Sequence, residues 1–229
     1  MSSFAINGVI QSEYAYNFLG QQVIRRLPQT GQVIHSVHDA LGNRIAEYDY
    51  DESTGVSTLI REYTWAQGMI VGVVENGALY FVRTGHIGRP VFATDSGGVK
   101  VWEASYLPFG GVQTSTGANS ELRFPGQWFQ SETGLHQNWM RDYDPTLGRY
   151  IQADPLDLVD GASVYGYALQ NPGRYTDPTG EFIPALAWYG AAFTFGYMLG
   201  QEIQVWGGNI LYYNWLKIGS QRLWHMLVE

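Results

Sequence analysis

The sequence contains no cysteine. Disulfides, thiolate chemistry and cysteine-ligated metal sites are thereby excluded. The absence assigns no compartment and is compatible with export. Charge is also scarce. Asp, Glu, Lys and Arg make up 15% of the 229 residues, and the formal net charge is −8. No run of Lys and Arg forms a basic stripe, so nucleic acid is not expected as a partner. The N-terminus, "MSSFAINGVIQSEY", lacks the basic start and long apolar run of a Sec signal peptide. Export is expected only by a specialised route or as part of something larger. No phosphate loop, dinucleotide fingerprint or nucleophile elbow is visible, and no cofactor is expected. Five histidines are present, and only His35 and His38, beside Asp39, sit close together. On a strand His35 and His38 face opposite sides, so no metal site is expected.

What is abundant is aromatic side chains and glycine: 16 Tyr, 8 Trp, 10 Phe and 28 Gly. That balance suits a turn-rich β protein and not a disordered chain. From about residue 8 to 115, short runs such as "EYAYNFLGQQVIRRL" and "REYTWAQGMIVGVVENGALYFVRTG" alternate with Gly, Asn and Asp. They read as half-buried strands. Asn76-Gly77 and Asp95-Ser96-Gly97-Gly98 read as hairpin turns, because Asn, Asp and Gly tolerate positive φ. A loose repeat places aromatic or histidine residues ahead of Gly20, Gly42 and Gly68, at steps of 22 and 26. Such periods predict stacked hairpin units. From 116 to 180, turn chemistry recurs every few residues, as at Pro125-Gly126, Gly134, Asp144-Pro145 and Gly148. Interleaved Tyr, Trp and Phe argue against a flexible linker there.

From 181 to 229 the character changes. Residues 182–200 carry no charge, and 203–218 form a second apolar stretch broken by Gly207-Gly208-Asn209. Two C-terminal α-helices are expected. The first is just long enough to span a bilayer, and Ala192, Gly196 and Gly200 fall on one face of it. Three readings stay open: helices packed on the β-core or filling a larger shell, a segment inserted in membrane lipid through 182–218, and a small toxin fold.

Two Asp-Pro pairs, Asp154-Pro155 and Asp177-Pro178, stand 23 positions apart. Aspartic-protease chemistry needs two carboxylates close enough to share a proton. Asp-Pro is equally a common turn starter, and both readings stay open on the residues alone.

The stretches "YAYNFLGQ", "EYDYD", "RTGHIGRPVFATDSGGVKVWEASYLPFGG", "LRFPGQWFQSETGLHQNWMRDYDPTLGRYIQADP" and "VYGYALQNPGRYTDPTG", in that order, resemble the RHS/YD-repeat proteins. The strongest likeness is to their repeat-associated core. The resemblance implies a mainly β fold: antiparallel YD hairpins over 1–115 and a turn-rich core over 116–180 that ends in DPxG. An apolar helical tail over 181–229 would follow. Members are polymorphic toxins whose β-shell encloses a C-terminal toxin, and many cores cleave themselves after the second DPxG as aspartyl proteases.

Carried onto this sequence, Asp154 and Asp177 are the catalytic pair and Arg149 orients a carboxylate. Gly180, Glu181 and Phe182 hold the cleavage region. Asp157 stands where the family commonly has Gly, and Glu181 where an apolar residue is common. The implied partners are the remainder of a shell or a toxin-delivery apparatus, and an immunity protein. The implied location is secreted or at the cell surface. A rival reading is a non-enzymatic shell fragment with a membrane-inserting or membrane-anchored tail. About a hundred residues of repeat are too few to enclose a cargo. The chain therefore reads as a terminal fragment, a degenerate orphan or a displaced shell-tip-plus-tail cassette.

Overall fold

A computed structural model describes residues 2–117, 120–158 and 161–183. The two expected C-terminal helices lie outside these residues. Among the described residues no helix is long and apolar enough to cross a membrane.

Eleven strands form one antiparallel meander in sequence order: β1 (Ser3–Ile6), β2 (Val9–Tyr16), β3 (Gln22–Leu27), β4 (Gln32–His38), β5 (Arg44–Asp51), β6 (Val56–Ala66), β7 (Met69–Glu75), β8 (Ala78–Thr84), β9 (Pro90–Thr94), β10 (Lys100–Tyr106) and β11 (Val112–Gly117). A second sheet follows: β12 (Gln127–Gln130), β13 (Leu135–Asn138), β14 (Arg141–Asp144) and β15 (Arg149–Tyr150). The expected hairpin turns are present. Asn76 and Gly77 take φ of 52° and 74° between β7 and β8, the pairing that a two-residue hairpin turn demands. Asp95 Oδ1 accepts the amides of Gly97 and Val99, each at 2.9 Å.

In a meander, successive turns fall on opposite rims. Gly20, Gly42 and Gly68 share one rim, and Gly88 and Gly110 continue their series. The smaller sheet and its flanking loops meet this rim at Gly20, Gly42, Gly88 and Gly110, while a Cβ on Gly68 would meet nothing within 4 Å. A Cβ on Gly42 would stand 1.9 Å from the Trp139 ring, one on Gly20 2.5 Å from Met140 Sδ, and one on Gly110 2.3 Å from the Phe124 ring. On the opposite rim a Cβ on Gly8, Gly31, Gly77 or Gly98 would meet nothing within 4 Å.

The contact between sheet and cap changes along the meander. Under β6 to β10 it is apolar: Tyr63, Ile70, Val82, Ala93, Trp102 and Ala104 pack with Leu122 and Trp128. Each large apolar side chain among them, such as Ile70, Val82 or Leu122, contributes roughly 1.5–3 kcal/mol when fully buried. Under β2 to β5 it is polar. Arg25 pairs with Glu132, which also accepts from Tyr14 Oη at 2.9 Å. Gln130 donates to Gln22 at 2.7 Å. Arg44 pairs with Glu47 at 2.8 Å while its guanidinium lies 4.3 Å from the Trp128 ring centre.

Glu47 is buried, and the Arg44 charge, the Tyr63 hydroxyl at 2.6 Å and Arg61 hold its carboxyl below the usual range despite burial. Tyr63→Phe is expected to leave that carboxylate short of a donor and to destabilise the fold by about 1–3 kcal/mol. A urea unfolding midpoint unchanged from the native chain would refute this.

Candidate functional site

Both Asp-Pro pairs are turns, and both also bring a buried carboxylate to one place. Asp154 Oδ1 accepts the Leu156 amide at 2.8 Å, and the Asp154 carbonyl accepts the Asp157 amide at 3.1 Å. Asp157 closes this turn with φ of 65°, a conformation that Asp tolerates better than most residues. Its place as the fourth residue matches that of Gly180, whose φ is 71°. Asp177 Oδ1 accepts the amides of Gly180 at 2.9 Å and Glu181 at 3.2 Å. In each turn the first oxygen is used locally, which leaves Oδ2 to point elsewhere.

The two Oδ2 atoms meet on one nitrogen. Arg141 Nη2 lies 2.8 Å from Asp154 Oδ2 and 3.1 Å from Asp177 Oδ2. The carboxylate oxygens are therefore no farther apart than these two contacts laid end to end. All three side chains are buried, at 2% exposure for Arg141, 5% for Asp154 and 2% for Asp177. Arg141 Nε also donates to the Gly180 carbonyl at 2.5 Å, and Nη1 to the Val164 carbonyl at 3.3 Å. Its face rests on the Tyr150 ring, 3.7 Å from the centroid.

The local sequence explains the convergence. Trp139 and Met140 form the turn between β13 and β14, and Trp139 takes φ of 45°. Asn138 and Arg141 thereby become cross-strand partners, which share a face of the sheet. Both reach the 177–180 segment lying across them. Asn138 Nδ2 donates to the Asp177 carbonyl at 2.8 Å and to Tyr150 Oη at 2.6 Å. Met140 N donates to the Thr179 carbonyl at 3.1 Å. Tyr150 Oη donates to Asp177 Oδ2 at 2.8 Å. Gly180 has to be glycine: a Cβ there would stand 2.5 Å from the Asn138 carbonyl oxygen.

Burial pushes the Asp177 carboxyl above the ordinary range, against the downward pull of the Tyr150 hydrogen bond, Arg141 and the two amides. Burial and the neighbouring Asp177 charge raise the Tyr150 hydroxyl well above its usual value. Tyr150 is thus a fixed donor and not an acid at neutral pH. Two carboxylates around one guanidinium leave one negative charge uncompensated.

Of the expected residues, Asp154, Asp177 and Gly180 come together. Glu181 joins through its amide, and Phe182 follows half-buried. Arg149 does not join them. Tyr150 faces the core with no exposure, so its neighbour Arg149 faces out by strand alternation. Arg149 is exposed and lies 6.0 Å from the Tyr165 ring centre. The arginine of the site is Arg141, and Tyr150 and Asn138 are further members that sequence reading did not find. Asp157 is exposed. No group of His, Asp and Glu suited to a metal ion occurs among the described residues.

The Teneurin YD-shell family model matches residues 3–169. The chain belongs to this YD-shell family. Its matched span ends before Asp177. A double-stranded DNA deaminase toxin A of Burkholderia cenocepacia is 28% identical over 201 residues, covering 76% of this chain and 14% of that protein. Salivary gland surface protein 1 of Aedes aegypti is 32% identical over 188 residues, covering 76% of this chain and 6% of that protein. Among solved structures, the Photorhabdus luminescens Tc holotoxin pore with a TccC3 mutation superposes with a TM-score of 0.62 at 20% identity. That match covers 77% of this chain and 9% of the other and shows a shared fold. The YD-shell chain thus spans about a tenth of the length of the proteins it matches.

Proposed function

We propose that this chain is the closing part of a toxin's YD shell and that it cuts its own backbone beside Gly180. The observation that carries the proposal is Arg141. One guanidinium joins both carboxylates and the carbonyl of the residue that ends the second DPxG. Arg141 Nε is placed to stabilise negative charge developing on that carbonyl oxygen. The carboxylate pair supplies the acid and the base. Asn138 and Tyr150 position Asp177 from the side away from the amides.

On this reading 1–115 is the YD hairpin region, 116–180 the core and 181–229 the segment released. The remainder of a shell or a delivery apparatus surrounds it, an immunity protein guards the producing cell, and a specialised secretion system exports the assembly. The toxin names among its relatives support the shell role.

The test is the mass of the purified chain. The native chain is expected to separate near residue 180, and Asp177→Asn to slow separation by roughly 10²–10⁴-fold. An intact native chain would leave the buried triad as a structural clamp on the 177–180 segment. That second reading is favoured by the turn hydrogen bonds that both aspartates already make.

A further inference from the structure

We infer that a second site, between the glycine rim and residues 178–179, binds a small carboxylate that carries an apolar body. It uses none of Asp154, Asp177 and Arg141, and it stands whether or not the chain cuts itself.

The site is a cavity of about 90 Å³ where the rim meets the smaller sheet. Of the five glycine turns on this rim, Gly68 alone would give a Cβ nothing within 4 Å, and Gly68 lines the cavity. The exposed Leu41 also lines it, so it opens to solvent. Its apolar walls are Trp65, Trp128, Trp139, Pro125 and Pro178. Two of the indoles have already spent their N–H groups. Trp65 Nε1 donates to the Arg44 carbonyl at 2.9 Å, and Trp139 Nε1 to the Leu19 carbonyl at 2.8 Å. What these two rings offer a ligand is carbon.

The polar side chains are unbalanced toward donors. Gln21 Nε2, His38 Nδ1, Arg44 Nε and Thr179 Oγ1 are buried with no hydrogen-bond partner among the described residues. All four side chains line the cavity, and Gln21 and Arg44 are only 4% and 5% exposed. Unpaired buried polar groups are rare because each costs stability. Four around one cavity call for an occupant that pairs them.

Neighbouring bonds fix which atoms are free. Asn17 Oδ1 accepts the Leu19 and Gln21 amides, so Asn17 Nδ2 is the end that donates to Gln21 Oε1 at 2.6 Å. That leaves Gln21 Nε2, which can only donate. Arg44 Nε can only donate as well, and the other two Arg44 nitrogens serve Glu47 and Gln137. Burial and the Arg44 charge hold His38 down to about 4. Its ring is therefore neutral at pH 7, with one N–H to give. Thr179 Oγ1 donates or accepts. Among the described residues no Asp or Glu lines the cavity.

A ligand here must bring acceptors. A sugar would also need acceptors for its hydroxyl protons, and no carboxylate stands there to take them. Phosphate brings acceptors but no apolar surface for three indoles and two prolines. A carboxylate on an apolar body brings both. Glu47 offsets the Arg44 charge at 2.8 Å, so the anion is held by charge-assisted hydrogen bonds and apolar contact more than by net charge.

The experiment titrates benzoate into the full chain, with benzamide, inorganic phosphate and glucose alongside. Calorimetry gives affinity, and ¹H–¹⁵N spectra give location. Benzoate is expected to bind in roughly the millimolar range. It should shift the Gln21 side-chain amide and the Trp65 and Trp139 indole signals, and place the His38 proton on Nδ1. Benzamide, nearly the same shape without the charge, is expected to bind about tenfold more weakly. Gln21→Glu keeps the Asn17 hydrogen bond but puts a carboxylate oxygen in place of the free donor. It is expected to weaken benzoate binding by about tenfold or more. Thr179→Val, which removes one hydroxyl, is the second variant and is expected to weaken it less. No benzoate binding up to ~50 mM overturns the inference. So does binding of phosphate or glucose in preference to benzoate. Benzoate binding that both variants leave unchanged, or that shifts none of the named signals, lies elsewhere and overturns it too.

Discussion

Arg141→Gln is expected to destabilise the fold by about 3–5 kcal/mol at neutral pH, because it strands two buried carboxylates without their shared cation. The loss is expected to shrink in acid. Asp177 already binds its proton more tightly in the folded chain than a free carboxyl does, through burial. For such a group stability is fully present at low pH and falls as pH rises from the unfolded value through the folded one. Removing the guanidinium extends that window upward, since the remaining pair repels more strongly. Urea unfolding of both proteins at pH 7 and at pH 4 measures the effect. Equal losses at the two pH values would show that the carboxylates are not what Arg141 holds.

The second large effect is expected at Gly126, far in sequence from either aspartate. Its φ is +84°, and a Cβ would stand 2.1 Å from the Pro178 carbonyl oxygen and 2.7 Å from Asn138 Oδ1. Both constraints act against any side chain, one through backbone strain and one through backbone contact. Gly126→Ala is expected to unseat the 177–180 segment and to destabilise the chain by roughly 3 kcal/mol or more. Cleavage is expected to fall with it, although Asp154, Asp177 and Arg141 are untouched. Native-like amide protection at Gly180 and Glu181 in the variant, read by hydrogen exchange, would refute this.

The meander was legible because its turns are local. Asn76-Gly77 and Asp95-Ser96-Gly97-Gly98 fix their own geometry, and the glycines of the repeat satisfy a backbone demand that no other residue meets as easily. Two members of the series, Gly88 and Gly110, were not joined to the repeat, although Tyr106 stands four residues before Gly110 as Tyr16 does before Gly20. Their glycines stay while their neighbours answer to what each turn meets: Pro125 at one and Phe124 at the other.

Asp154 and Asp177 were legible as candidates but not as neighbours, since nothing within either turn brings them together. Arg141 was illegible for the same reason. Its direction depends on the Trp139-Met140 turn and on pairing with Asn138, neither of which its own surroundings announce. Arg149 illustrates the reverse error. A residue at the expected distance along the chain faces away once Tyr150 is inward. Asp157 looked like a departure from glycine, yet it keeps the same left-handed turn. Nothing in Ala168, Leu169 and Gln170 foretells their run of positive φ, at 51°, 51° and 58°, because none is glycine or asparagine.

The uncovered rim has a consequence for how such a sheet can change length. Strands reverse direction one by one, so losing or gaining a single strand would exchange the two rims beyond that point. Trp139, Met140 and Phe124 would then face turns from the bare side, out of step with the grooves they fill. Removing or adding two strands shifts the series by one whole step and presents another glycine turn of the same kind. The cap therefore counts in pairs. Insertion of one hairpin of 20 to 26 residues should be tolerated where insertion of half a hairpin is not.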